Sequence, residues 1–379
     1  MKELGFLQKF IRLVKASEGN RFDDNYDYRR FGPLVESGET DNLSPGFYEK
    51  TKACFDCLLR CLRLRHTPTW TERAMQWIRP RQEQFEWLHE ALDDNFSREL
   101  LVQVLAFRLM GHKKIKLPLN NAEYWRQYSE VEAMTSGKET LPLGFRGWEA
   151  YRVNLQAYGY PIELYARPGA VMGQLLLQQY RCPLAKGSIE VKPGDTVIDG
   201  GACYGDSALY FAHKAGLTGQ VYSFEFLPEN VHVFEQNMEL NPKLRRCIKR
   251  IDHPLWSCSG VELFVEGNGP GTRVCPDSES PTARKVTTMS IDDLVRRERL
   301  EKVDFIKMDI EGSELAALKG AKETICRFAP KLAISVYHHI EDFWELPQWI
   351  DALGLGYKFH LRHFTIHAEE TVLFASVDE

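Results

Sequence analysis

The sequence has no apolar stretch near the ~20 residues that a bilayer-spanning helix needs. It also has no basic surplus. Its 48 lysines and arginines face 53 acids, a net charge of −5, which gives no reason to expect nucleic acid or an anionic membrane as partner. The opening stretch MKELGFLQKFIRLVK lacks both an uninterrupted apolar core and a small-residue cleavage site, so it does not read as a signal peptide. Internal repeats and low-complexity tracts are absent, which removes repeat architectures. Cysteine is not patterned as a disulfide framework. An odd number, nine, is scattered through apparent helices and strands, which suits a reducing, cytoplasmic location. Cys54, Cys57 and Cys61 could offer three thiols to a metal, but no fourth ligand lies nearby. Spacings of three and four equally describe a buried helical stripe, and that is the reading adopted.

What is present is ordinary globular composition, 44% hydrophobic and 27% charged, in 379 residues. That length exceeds what one core usually serves, so two domains are expected. Leu4, Leu7, Ile11 and Val14 line one face of an N-terminal amphipathic helix, expected to dock on its own domain or on a second subunit. Residues 18 to 48 are polar and read as an irregular segment. Helical periodicity returns over 49 to 110, with Leu88, Leu92, Leu100, Val104 and Leu105 apolar and Asn95 or Ser97 as a cap. A connector follows to residue 150. Its aromatics, Tyr124, Trp125, Tyr128 and Trp148, read as packing rather than as a sugar-stacking platform.

From about residue 185 short apolar strands alternate with helical segments. The strands span 196–199, 220–225, 247–251, 303–308 and 331–336, with helices such as 206–214 and 313–325 between them. This alternation predicts a parallel sheet with helices on both faces. Segments 357–362 and 370–375 are separated only by a short polar stretch, so they should pair as an antiparallel hairpin at one edge.

The first of these strands runs into TVIDGGACYGD. Gly200, Gly201 and Gly205 sit where an open parallel sheet binds ligands, outside the carboxyl ends of its strands. Glycine lets a ligand approach the backbone, and the helix starting near Asp206 offers free N–H groups. The dinucleotide pattern G-x-G-x-x-G fails in both registers. An acid just before the turn, Asp199, would repel a pyrophosphate but attract a cationic ligand. Glu225 ends the second strand, close to the ~20-residue spacing at which an acid takes both ribose hydroxyls. The fourth strand ends in KMDIEGSE. Lys307, Asp309, Glu311 and Glu314 thus place three acids at the mouth of the same cleft, able to share a proton, bind a divalent ion or act as a base.

These separated motifs occur in order: VIDGGACYGDSALYFA, VYSFEFLPEN, HPLWS, TTMSIDDLV, DFIKMDIEGSELAALKGA and ETVLFA. Together they make residues 150 to 379 resemble the FkbM-type methyltransferases that use S-adenosylmethionine (SAM). The resemblance departs at Cys203, where the family often has asparagine. It implies an α/β fold of class I methyltransferase type: a Rossmann-like seven-stranded sheet, last strand antiparallel, with helices on both faces. The domains are then 1–148, mainly helical and serving as a cap or in oligomerisation, and 149–379, the methyltransferase domain.

The resemblance further implies a SAM site drawn from Asp199, Gly200, Gly201, Ala202, Tyr204, Gly205, Asp206 and Ser207 at the first turn. Glu225, Phe226 and Asn230 join it at the second strand, His253 and Trp256 after the third, and Asp309 after the fourth. The family chiefly O-methylates sugars and natural products, so a small-molecule or glycan acceptor is expected, as is a homodimer as one role for the N-terminal region. Asp309, Glu311, His338 and His339 are the candidate catalytic residues, the histidines because imidazole titrates near neutrality. A divalent metal at Asp309 and Glu311 is an alternative, not the expectation. The rivals are a nicotinamide oxidoreductase, against which the failed glycine pattern argues, and a non-catalytic SAM sensor, against which the KMDIEGSE acids argue.

Overall fold

A computed structural model describes residues 4–28, 68–145, 147–267, 269–277 and 283–377. Cys54, Cys57 and Cys61, and most of the polar 18–48 segment, lie outside the described residues. The chain forms two compact units: Met1–Glu86 with Val102–Pro118, and Trp87–Leu101 with Leu119–Glu379.

In the first unit, helix Phe6–Ser17 buries Phe6, Phe10, Val14 and Ser17. Phe6 stacks on Phe85 at 5.7 Å and Phe10 on Trp77 at 6.1 Å between centroids. The buried face is therefore turned from the expected Leu4/Leu7/Ile11 stripe, and Leu4 is exposed. Aromatic rings four residues apart bury more area than leucines and decide the rotation. Helix Trp70–Ile78 opens on a full capping box between Thr69 and Glu72.

The second unit is built on seven strands: β1 (Thr196–Gly200), β2 (Gln220–Phe224), β3 (Ile248–Ile251), β4 (Phe305–Met308), β5 (Lys331–Ser335), β6 (Lys358–His363) and β7 (Thr371–Ser376). Their order is β6-β7-β5-β4-β1-β2-β3. The five strands β1 to β5 run parallel, and β7 inserts antiparallel between β5 and β6. Parallel neighbours need crossovers, which here carry helices including Asp206–Ala215, Pro228–Leu240, Ile291–Glu298 and Asp342–Asp351. All four residues of β4 are buried, as a strand covered on both faces requires. The sheet and its final hairpin are those expected from the pattern and the resemblance.

Two expectations need correction. The boundary after residue 148 falls inside a small antiparallel sheet, because strand Thr140–Pro142 pairs with Glu149–Asn154. The helix expected over 313–325 divides into Glu314–Lys319 and Lys322–Phe328. Asp292 explains the break. Its carboxylate accepts hydrogen bonds from the N–H groups of Glu323 and Thr324, at 3.1 and 2.8 Å, and so starts a new helix there. Tyr124 and Tyr128 are core residues, as their packing reading requires, and the Arg167 guanidinium lies 3.6 Å from the Trp148 ring centroid.

Candidate active site

A cleft with a cavity volume of about 80 Å³ opens at the carboxyl ends of the parallel strands, below the ~300–1,000 Å³ range of ligand sites. Gly201, Cys203, Glu225, Phe226, Asn230, His253, Asp309 and Glu311 line it, together with Leu227, Pro254, Leu255, Pro270, Thr272, Val274, Ile310 and Ser313.

The acid of the glycine turn does not face this cleft. Asp199 is fully buried on β1, in register with Lys307 on β4. The ammonium lies 3.3 Å from Asp199 Oδ1 and donates to the carbonyls of Gly200 and Gly201 at 3.0 and 2.6 Å. Asp199 Oδ2 accepts from the hydroxyls of Ser207 (2.9 Å) and Ser223 (3.3 Å). Burial alone would lower Lys307, but Asp199 and Asp309 outweigh it and hold the lysine above its ordinary value. Asp199 is thus the counter-ion of a buried lysine rather than an acidic wall for a ligand. The glycines also serve packing, although Gly201 still lines the cleft. A Cβ on Gly201 would stand 2.0 Å from the Asp309 carbonyl oxygen, and one on Gly205 2.8 Å from the Phe234 ring. Both have positive φ, so close packing of β1 on β4 and on helix Pro228–Leu240 requires glycine there.

Glu225 does face the cleft. Its Oε1 accepts from the N–H groups of Phe226 and Leu227, both at 2.8 Å, and Oε2 accepts from Asn230 Nδ2 at 3.2 Å. Pro228 starts the following helix with φ already set. The carboxylate thereby ties down the turn that enters that helix while lining the cleft. Burial raises it, against these hydrogen bonds, to about 7.

At the other end of the cleft, Asp309 accepts from the hydroxyls of Tyr337 (3.0 Å, Oδ1) and Tyr180 (3.3 Å, Oδ2). His338 follows β5. Its Nε2 lies 3.5 Å from Asp309 Oδ1 and 3.7 Å from Glu311 Oε2, and its Nδ1 lies 3.1 Å from Glu314 Oε1. Burial would lower the imidazole, but Glu314, Asp309 and Glu311 outweigh it and raise it to about 10. For Asp309, Lys307 and His338 overcome burial and hold the carboxyl below its usual range. Glu311 takes a left-handed φ of 57°, and burial raises it to about 7.

Several expected site residues lie elsewhere. Ala202 is core, and Tyr204 packs in a separate cluster with Tyr165 and Val233. Asp206 and Ser207 are buried in the first helical turn, where Ser207 serves Asp199. Trp256 is drawn away: its N–H donates to Met289 O, and its carbonyl crowds Gly320. His339 packs its ring on Gly312 and lies 3.6 Å from Asp342. Neither it nor His338 lines the cleft. Sequence reasoning missed Pro270, Thr272 and Val274. Val274 lies in a small antiparallel sheet, Glu262–Glu266 with Arg273–Cys275 and Arg284–Thr287, inserted between β3 and β4, and Pro270 and Thr272 lie in the turn that leads into its strand Arg273–Cys275. The glycine-rich GNGPG turn was the available signal.

The strand order, with its cleft at the carboxyl ends and its single inserted antiparallel strand, defines the class I methyltransferase fold. Residues 199–359 match the profile of the methyltransferase FkbM domain. That segment, less than half of the chain, is similar to FkbM methyltransferase domains and supports a methyltransferase, and the nicotinamide reading is set aside. No curated protein matches the chain. Among solved structures, methyltransferase FkbM from Methylobacillus flagellatus KT is similar at 21% identity and TM-score 0.49, over 88% of this chain and 71% of that one. Fibrillarin from Aeropyrum pernix, in complex with natively bound S-adenosyl-L-methionine, aligns at 16% identity and TM-score 0.34, over 64% of this chain and 84% of its own. An O-methyltransferase from Bacillus cereus aligns at 11% and 0.33, over 69% and 93%.

Proposed function

We propose that this methyltransferase uses SAM and transfers its methyl group to a hydroxyl of a sugar, glycan or natural product. The reading is supported chiefly by one juxtaposition: Glu225 and the pair Asp309 and Glu311 line one cleft. Glu225 would take the ribose hydroxyls, and Phe226, Leu255 and Val274 would bound the apolar parts of the cofactor. The sulfonium then lies toward the carboxylates, which favour a cation there.

In the transfer, the acceptor oxygen attacks the methyl carbon in line, the C–S bond breaks, and S-adenosylhomocysteine (SAH) leaves. The acceptor proton must go to a base. Glu311 is assigned that role: both acids line the cleft, but Lys307 and His338 hold Asp309 low, a poor proton acceptor, whereas burial raises Glu311 to about 7. Alignment of the reacting pair contributes up to ~7–11 kcal/mol.

The test is Glu311→Gln with labelled SAM and a panel of hydroxylated acceptors, read by mass spectrometry. SAH affinity should stay within about threefold while turnover falls ~10²–10⁴-fold. Undiminished turnover removes Glu311 as base. Failure of the wild-type chain to bind SAH removes the whole reading.

A further inference from the structure

One buried cluster lacks the partners that burial demands. The His338 side chain is 4% exposed, and its ring nitrogens meet only carboxylates, Nδ1 at 3.1 Å from Glu314 and Nε2 at 3.5 Å from Asp309, without a well-directed hydrogen bond. Glu314 is wholly buried, and its Oε2 has none either. Native proteins leave few such groups unsatisfied, and an ion is one of the standard explanations. Donor atoms from Asp309, Glu314 and His338 all lie within 4.8 Å of one another. Donors on a common ion at ~2.0–2.2 Å can be no more than ~4.4 Å apart, so shifts of a few tenths of an ångström close the set.

The three donors arrive on separate elements, each already fixed. Asp309 follows β4 and is oriented by Tyr337 and Tyr180. Glu314 begins helix Glu314–Lys319, and its Oε1 accepts from the Ile310 N–H at 2.8 Å, which leaves Oε2 available. His338 follows β5. Such second contacts orient metal ligands.

We propose that Asp309, Glu314 and His338 form a site for a first-row divalent transition ion beside the cofactor cleft. One imidazole with two carboxylates suits Mn²⁺ and its neighbours better than Mg²⁺ or Ca²⁺, which prefer all-oxygen sets. Asp309 borders both the cluster and the cleft, so an ion there reaches an acceptor oxygen whose proton Glu311 takes. That catalytic role rests on the proposed function; ion binding does not.

The test titrates chelator-stripped full-length protein with Mn²⁺, followed by electron paramagnetic resonance and calorimetry, with SAH titrated separately. A single ion should bind. Glu314→Gln keeps an oxygen for the Ile310 N–H but loses the charge, and His338→Gln removes the imidazole. Each should weaken Mn²⁺ by at least the ~10–100-fold that loss of an outer-shell partner costs while retaining SAH affinity and the cooperative melt. Absence of Mn²⁺ uptake, or uptake unchanged in both variants, overturns the site. Mn²⁺ binding without SAH binding keeps the ion site and sinks the proposed function instead.

Discussion

Replacing Lys307 by methionine isolates the interaction that holds β1 against β4. Methionine preserves much of the volume and apolar stem, so packing changes little. What is lost is the ammonium, with all three of its donors in use: toward Asp199 at 3.3 Å and to the carbonyls of Gly200 and Gly201. Asp199 keeps two hydroxyl donors on Oδ2, but its charge stays in a fully buried site with no cation opposite. Removing one partner of a buried pair costs about 3–5 kcal/mol. In a unit of this size each kcal/mol moves Tm by ~2–4 °C, so the expected fall is ~6–20 °C by scanning calorimetry. Adding Asp199→Asn removes the stranded charge and should recover part of the loss. The pH dependence has a definite sign. Lys307 lies above its ordinary value, so the pair contributes fully below the unfolded lysine value, about 10.4. The contribution fades as pH rises through the higher folded value. A fall under ~2 °C, or a double variant no more stable than Lys307→Met alone, would refute the reasoning.

Two further predictions concern the cleft. Glu225 is raised to about 7 by burial, and ribose hydroxyls favour its ionised form. SAH affinity should therefore rise from pH 6 to 8 with proton release, seen by calorimetry in buffers of differing ionisation enthalpy, and Glu225→Gln should abolish that slope. The raised value also means that the ligand-free fold loses stability as pH climbs from the unfolded glutamate value to about 7, above which the loss levels off. Gly201→Ala would set a Cβ 2.0 Å from the Asp309 carbonyl at a φ of 80°. The αL penalty alone is ~1–2 kcal/mol, and the displaced β4 end should weaken SAH by more than about tenfold in the same titration. Retained affinity would show that the β1–β4 contact yields without disturbing the cleft.

The sequence by itself determined the sheet. Five short apolar runs alternating with helical segments, and a closing hairpin, are local patterns that survive in any surroundings. The place of Glu225 at the cleft was legible for the same reason, since it follows from position at a strand end. Other assignments needed the third dimension. Asp199 and Asp309 are both acids at strand ends. Only the register of β1 against β4 shows that Lys307 consumes the first, while the second remains at the cleft. His338 and His339 are adjacent in sequence, yet one enters a nest of carboxylates and the other packs on Gly312. Their side chains leave the backbone in different directions, which composition and spacing do not encode. Glu314 reads as a helix-start acid. The fold makes it a neighbour of His338, because β4 and β5 lie side by side and end at the same level. Pairing between distant strands decides which charges meet, and in a buried site that decides what each charge can do.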